Sequence, residues 1–153
     1  MIPLPSTIST SLPVSARRGW TRAEFEKLVG LGLFAPEEQL ELIEGDIVLK
    51  RTQNPPHATA LYLTQTALLS AFGTSHLMRV QLPLALGERN RPEPDVAVVQ
   101  GSARDYATEH PTSAVLVVEI SDATLAQDRE IKCAVYARVG VAEYWITQCV
   151  TLL

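Results

Sequence analysis

Two acidic residues stand at the edges of apolar runs, where an ionised carboxylate is out of place. Ala114-Val115-Leu116-Val117-Val118 reads as a buried strand, which Glu119 interrupts before Ile120 and Ser121. Asp95 opens a second run, Val96-Ala97-Val98-Val99, directly after Pro94. Carboxylates are almost never buried without a positive partner, so each of these acids asks for a cation. Lys132 follows on what reads as the next helix. If the two strands are neighbours, both carboxylates project near one sheet edge and can share a hard divalent ion. Mg²⁺ commonly takes one or two protein carboxylates, with waters and substrate phosphate completing its shell. Such an ion acidifies a bound water and neutralises charge on an attacked phosphate. An ammonium beside it could orient the water or stabilise the phosphorane, because phosphoryl transfer is catalysed largely by positioning and electrostatics. The plain alternatives are that Asp95 only terminates a strand, that Glu119 pairs with an arginine, and that Lys132 forms an i, i+4 pair with Asp128.

The elements that must position these residues can be read from periodicity. Thr21 with Glu24 has capping-box spacing, and Phe25, Leu28 and Val29 continue it as a helix that stops near Gly30 to Gly32. Leu40, Leu42, Ile47 and Leu49 bracket Glu44-Gly45-Asp46, which predicts two short strands about a tight turn. Pro55-Pro56 breaks that pattern, and His57 to Phe72 reads as a second helix containing Leu61 and Leu68. Leu77 to Leu86 alternates through Val80, Leu82 and Leu84, which predicts a strand with one buried face. The Val96 and Val115 runs are continuous, as in central strands covered on both sides, with a polar connection or short helix between them. Thr124 with Gln127 caps a last helix whose inward stripe is read as Ile131, Val135 and Val139. A final strand begins at Tyr144-Trp145-Ile146. The order helix, two strands, helix, three strands, helix, strand implies an α/β (α+β) fold with a mixed sheet flanked by helices. In such sheets sites gather at strand ends.

Composition narrows the class without naming a substrate. The 153 residues suit one domain, and a hydrophobic content of 46% argues against disorder. Residues 1–18 are read as a flexible leader and 19–153 as the folded domain. No apolar run approaches the ~20 residues that a bilayer span needs, so no membrane partner is expected. Cys133 and Cys149 lack CxxC spacing and read as free cytosolic thiols, which points to a cytoplasmic protein. The net charge of −4 gives no general attraction to nucleic acid, although arginine clusters such as Arg17, Arg18 and Arg22 could contact phosphate. Tyr136 and Trp145 are read as core aromatics, and His57 as a capping or surface histidine.

Taken together, Glu93-Pro94-Asp95-Val96, Val118-Glu119-Ile120-Ser121, Asp128 through Lys132, Tyr136-Ala137 and Glu143-Tyr144-Trp145-Ile146 resemble the Uma2-type family of restriction-endonuclease-like proteins, within the PD-(D/E)xK nuclease superfamily. The resemblance runs from about Thr21 to Ile146. It implies a restriction-endonuclease-like core, a site using Mg²⁺ with Mn²⁺ as substitute, and DNA as substrate. Asp95 matches the acid of the PD motif and Glu119 the second acid. Ser121 stands where the superfamily lysine usually lies, and Lys132 matches a lysine moved to the following helix. Glu44 resembles an early acidic position found beside such sites, as a third metal ligand; it also fits a turn residue on an exposed hairpin. Family members continue past the Tyr-Trp-Ile strand, and Cys149 to Leu153 does not resemble that continuation. A shortened C-terminal end and an unpaired apolar edge are therefore expected, and with them a homodimer. Three functions stay open at this point: a metal-dependent DNA endonuclease, a catalytically degenerate binding or interaction module, and a hydrolase of some other phosphodiester.

Overall fold

Thr21 starts the first helix as its spacing predicts. Its hydroxyl accepts from the Glu24 N–H at 3.2 Å, and the Glu24 carboxylate accepts from the Thr21 N–H at 3.0 Å. Helix α1 (Arg22–Gly30) thus opens on a closed capping box. The computed structural model describes residues 17–50, 53–121 and 126–148. Most of the expected leader, the Thr124 cap, the Asp128 side chain and Cys149 lie outside the described residues and side chains.

Strands β1 (Leu40–Ile43) and β2 (Asp46–Leu49) form the antiparallel hairpin. Its two-residue turn has φ of 53° at Glu44 and 87° at Gly45, the positive pair that matches the twist of the flanking strands. A side chain at Gly45 would press on the backbone of Gly19 and Trp20 at 3.1 Å, so this turn needs glycine for space as well as for φ. Helix α2 (Pro55–Phe72) begins two residues before the expected His57. Pro55 and Pro56 occupy the first turn, where no N–H is required, and the Asn54 side chain caps the N–H of His57 at 3.0 Å. The prolines start the helix rather than precede it.

The main sheet has the order β3 (Leu77–Val80), β4 (Val96–Val99), β5 (Leu116–Ser121), β6 (Glu143–Gln148). Its first two pairings are antiparallel and the β5–β6 pairing is parallel, with α3 (Ala126–Arg138) as the crossover. A mixed sheet flanked by helices is thus observed. Alternation divides its side chains. Val96, Val98, Leu116 and Val118 pack with Leu61, Leu68 and Phe72 of α2. Ala97, Val99 and Val117 pack with Val135 and Tyr136 of α3 and with Ile43, Leu84 and Leu86. No helix among the described residues is long and apolar enough to cross a membrane.

Three expectations about packing change. The strand predicted over Leu77 to Leu86 ends at Val80, because Gln81 has φ of 51° and Pro83 has no N–H for a ladder. Leu84 and Leu86 are nevertheless buried, held by bonds from Leu84 N–H to Pro92 and from Leu86 N–H to Asn90. On α3, Ile131 is 47% exposed, and the inward face runs through Lys132, Val135, Tyr136 and Val139. Those positions follow the i, i+3, i+4, i+7 rule from Lys132, one residue out of phase with the predicted start. Trp145 is 48% exposed on edge strand β6 and is not a core residue; its indole N–H donates to Glu143.

Candidate active site

Asp95 sits one residue before β4, and the chain on either side fixes it. Its carbonyl accepts from the Gln81 N–H at 3.1 Å, and its Oδ2 accepts from the Ile120 N–H of β5 at 2.8 Å. The carboxylate therefore takes a ladder position between two strands, which orients it without side-chain freedom. Oδ1 has the Gln81 amide at 3.3 Å, His57 Nε2 at 3.2 Å and Lys50 Nζ at 3.6 Å. Asp95 is 2% exposed, so this partner set is what makes its burial tolerable.

Glu119 lies in β5 two residues after Val117, and so points to the α3 face of the sheet. There its Oε1 accepts from Lys132 Nζ and from the Tyr136 hydroxyl, both at 3.0 Å. Lys132 and Tyr136 are one turn apart on the inward face of α3, so one helix face supplies both donors. Lys132 Nζ also reaches Glu41 Oε2 at 2.9 Å and Oε1 at 3.0 Å. Glu41 is 3% exposed, and its Oε1 accepts from the Glu93 N–H at 2.7 Å. One ammonium thus ties a hairpin acid to a central-strand acid.

The electrostatics follow from this crowding. Burial pushes the Glu119 carboxyl above its ordinary range; Lys132 pulls it back, and the charges of Glu41 and Asp95 push it up again. Burial works against the Lys132 ammonium, but Glu119 and then Glu41 more than offset it, so its pKa stands above the usual lysine value. Tyr136 is held well above an ordinary phenol, by burial first and by Glu119 second, and it stays a hydrogen-bond donor.

The structure brings Asp95, Glu119 and Lys132 into one neighbourhood, and the acid that the hairpin adds to it is Glu41. Glu44 lies elsewhere. It is exposed in the turn, where Arg138 Nη1 donates to its Oε1 at 2.8 Å and its Oε2 at 3.0 Å, and its N–H donates to Asn90 at 2.7 Å. Period two explains the difference: Glu41 shares a strand face with buried Ile43, whereas Glu44 occupies the turn itself. Sequence reasoning passed over Glu41, Lys50 and Gln81, and it read His57 as a capping or surface histidine, whereas its Nε2 lies 3.2 Å from Asp95. His57 carried no signal of that contact, because its partner Asp95 lies 38 residues further along the chain. For Lys50 and Gln81 there was none, since each reaches Asp95 only through the three-dimensional pairing.

A mixed sheet with carboxylates at the ends of its central strands and helices packed on it is the architecture of the restriction-endonuclease-like fold. The Uma2 family model, described as "Putative restriction endonuclease", matches residues 22–151, and the chain belongs to that family. The crystal structure of "a putative nuclease belonging to DUF820" from Anabaena variabilis ATCC 29413 is similar over 84% of this chain and 73% of that chain. The two share a TM-score of 0.64 and 18% sequence identity, a likeness of fold. No curated protein matches the chain. Family membership makes nuclease the class of activity to which the chain is assigned.

Proposed function

We propose that the chain is a metal-dependent nuclease that hydrolyses DNA phosphodiester bonds at the cluster of Asp95, Glu119 and Lys132. The observation that carries this reading is a set of buried acids held by cations and hydrogen-bond donors about Lys132 and Lys50. The buried acids Glu41 and Asp95 both act on Glu119, against the inward Lys132 of α3 first and Lys50 second. The donor set fits a hard ion, because every candidate ligand atom is a carboxylate oxygen. Among the described residues no three His, Cys, Asp or Glu side chains gather closely enough to hold a metal between them. The fit is therefore to an ion that needs two carboxylates and completes its shell with water, as Mg²⁺ or Mn²⁺ does. Asp95 and Glu119 would hold it, and when bound it supplies an acidified water and neutralises phosphate charge.

The chain's own residues do the positioning. The Ile120 N–H locks one oxygen of Asp95, while His57 and Gln81 hold the other. Tyr136 holds Glu119 from the helix side, and Glu41 holds Lys132 so that its ammonium faces the β5 carboxylate. An ammonium fixed in this way would meet a phosphate oxygen with little reorganisation. DNA as partner and a cytoplasmic location belong to the same reading. So does a homodimer through edge strand β6, where Trp145 and Ile146 are both exposed.

The test is incubation of the full chain with supercoiled and linear DNA in Mg²⁺ or Mn²⁺. Nicking that disappears in Asp95→Asn, Glu119→Gln and Lys132→Met supports the assignment. A folded protein that cleaves neither DNA nor RNA with either ion overturns it. One observation favours a second reading, a binding module without catalysis: Lys132 is already paired with both Glu41 and Glu119, so the cluster satisfies itself. DNA capture that survives all three substitutions would select it.

A further inference from the structure

A second cleft lies away from the carboxylates, between α1 and the segment that follows β4. It encloses about 590 Å³ and is lined by Arg22, Arg91, Tyr106, Thr108, His110 and Thr112, among others. Its charged groups are Arg22 and Arg91 on the one hand and Glu26 and Glu109 on the other. Arg22 donates Nε to the Gly87 carbonyl at 3.1 Å and Nη1 to Glu26 at 3.2 Å, which leaves Nη2 without a described partner. Arg91 lies over the Phe25 ring at 5.6 Å, donates Nη1 to Glu93 and has a buried Nε with no acceptor. Behind the wall, Arg79 is 7% exposed and, among the described residues, has no carboxylate within ion-pair distance. Its Nη2 lies 3.2 Å from the Pro83 carbonyl and from His110 Nδ1, and its Nε also lacks an acceptor.

Arg79 fixes the state of His110. A guanidinium can only donate, so Nδ1 must accept, and the ring proton is on Nε2. His110 therefore offers the cleft a donor from a ring backed by positive charge. Burial, then Arg91 and Arg79, hold its pKa below the ordinary histidine value, and only Glu26 opposes them appreciably. The two acids of the lining do not cancel this field: Glu26 is bonded to Arg22, and Glu109 is exposed. Arg22 and Arg91 are each paired through Nη1, with Glu26 and Glu93, and a second anion can be met only by their remaining N–H groups. Two threonine hydroxyls on the same wall can donate as well.

We propose that this cleft is a phosphate-binding subsite, in which Arg22, Arg91 and the Nε2–H of His110 donate to the oxygens of a phosphate group. Guanidinium groups suit phosphate through charge-assisted paired bonds. The subsite does not depend on the nuclease reading. Among the described residues its link to the carboxylate cluster is Arg91, which bonds Glu93, whose N–H in turn donates to Glu41. The phosphate could be that of a nucleic-acid backbone or a free phosphate ion, and the chemistry is shared.

The test is an NMR titration of the metal-free full chain with inorganic phosphate, following the His110 ring and the arginine side-chain resonances. Saturable shifts confined to this cleft, weakened roughly tenfold in Arg22→Gln, are the expected result. Shifts that stay linear or spread over the surface mean an adventitious ion only and overturn the proposal, as does no response. Because Arg91→Gln could loosen the Glu93 contact, Thr112→Val serves as a second variant and should weaken binding less than Arg22→Gln. A repeat with a short single-stranded oligonucleotide separates the two sources. Tighter binding than inorganic phosphate at the same resonances assigns a nucleic-acid backbone, and binding no tighter assigns free phosphate. Glu119→Gln should leave these shifts unchanged, so failure of the subsite and failure of the nuclease assignment are distinguishable.

Discussion

Two clusters of buried charge meet near Arg91 and Glu93, and they are built in opposite ways. In the carboxylate cluster each acid is matched: Glu119 and Glu41 share Lys132, and Asp95 has a backbone N–H, His57, Gln81 and Lys50. Behind the arginine cleft, Arg79 has a carbonyl, a neutral imidazole and the Tyr106 ring at 5.8 Å but no described carboxylate, and the Nε atoms of Arg79 and Arg91 are unsatisfied. The difference lies in which element supplies the counter-charge. A helix face can bring Lys132 to two strands at once, because side chains at i and i+4 stack on one side. The irregular segments around the cleft pair Arg22 with Glu26 and Arg91 with Glu93 but bring no described carboxylate to Arg79.

The largest effects should follow from breaking the matched cluster. Lys132→Met leaves Glu41 and Glu119 buried without their shared cation. The expected cost is about 3 kcal/mol in urea unfolding, together with loss of any metal-dependent cleavage. The same substitution at the unmatched cluster sharpens the comparison. Arg79→Met removes a buried charge that has no acid, so stability should change by less than about 1 kcal/mol. Equal destabilisation by the two variants would mean that the clusters are not built differently.

Next in size is the contrast within one hairpin. Glu41→Gln should lower cleavage by ~100-fold, because it frees Lys132 from the geometry that faces Glu119. Glu44→Gln removes an exposed pair with Arg138 and should change stability by less than about 0.5 kcal/mol with cleavage intact. Matching losses of activity in both variants would contradict the placement of Glu41 as the positioning acid. Packing offers a similar contrast on α3. Val135→Ala should cost about 2 kcal/mol, whereas Ile131→Ala, at an exposed position, should fall within about 0.5 kcal/mol.

Much of this architecture was legible in sequence because it rests on local periodicity. The element order, the hairpin about Glu44-Gly45 and the capping box at Thr21 depend on short spacings, and all are observed. Asp95 and Glu119 stood out because a carboxylate against an apolar run is a local anomaly. What escaped was set by registers one residue apart. Ile131 and Lys132 are neighbours, and choosing the apolar one as the stripe turned the helix by one position. Glu41 drew no reading between Leu40 and Leu42, and the structure buries it along with Leu42 and Ile43. His57 and Lys50 were beyond reach, since each meets Asp95 only through contacts that span tens of residues in sequence.

The smallest expected effect belongs to the arginine cleft and has a definite sign. His110 has a folded-state pKa below its ordinary value of 6.5, through burial first and then through Arg91 and Arg79. In the window below that value the unfolded chain binds a proton that the folded chain resists, so folding stability rises with pH there. Stability from this group is therefore fully present above pH 6.5 and declines as pH falls toward the folded pKa. His110→Gln keeps an acceptor for Arg79 and cannot titrate. The difference in urea midpoint between wild type and His110→Gln should shrink or reverse as pH is lowered from neutral. Saturating phosphate should oppose that loss in the wild type, because a bound anion stabilises the protonated ring beside Arg91. A difference that stays constant with pH would mean that the arginines exert no field on the cleft, and would remove the electrostatic ground for treating the two clusters as opposites.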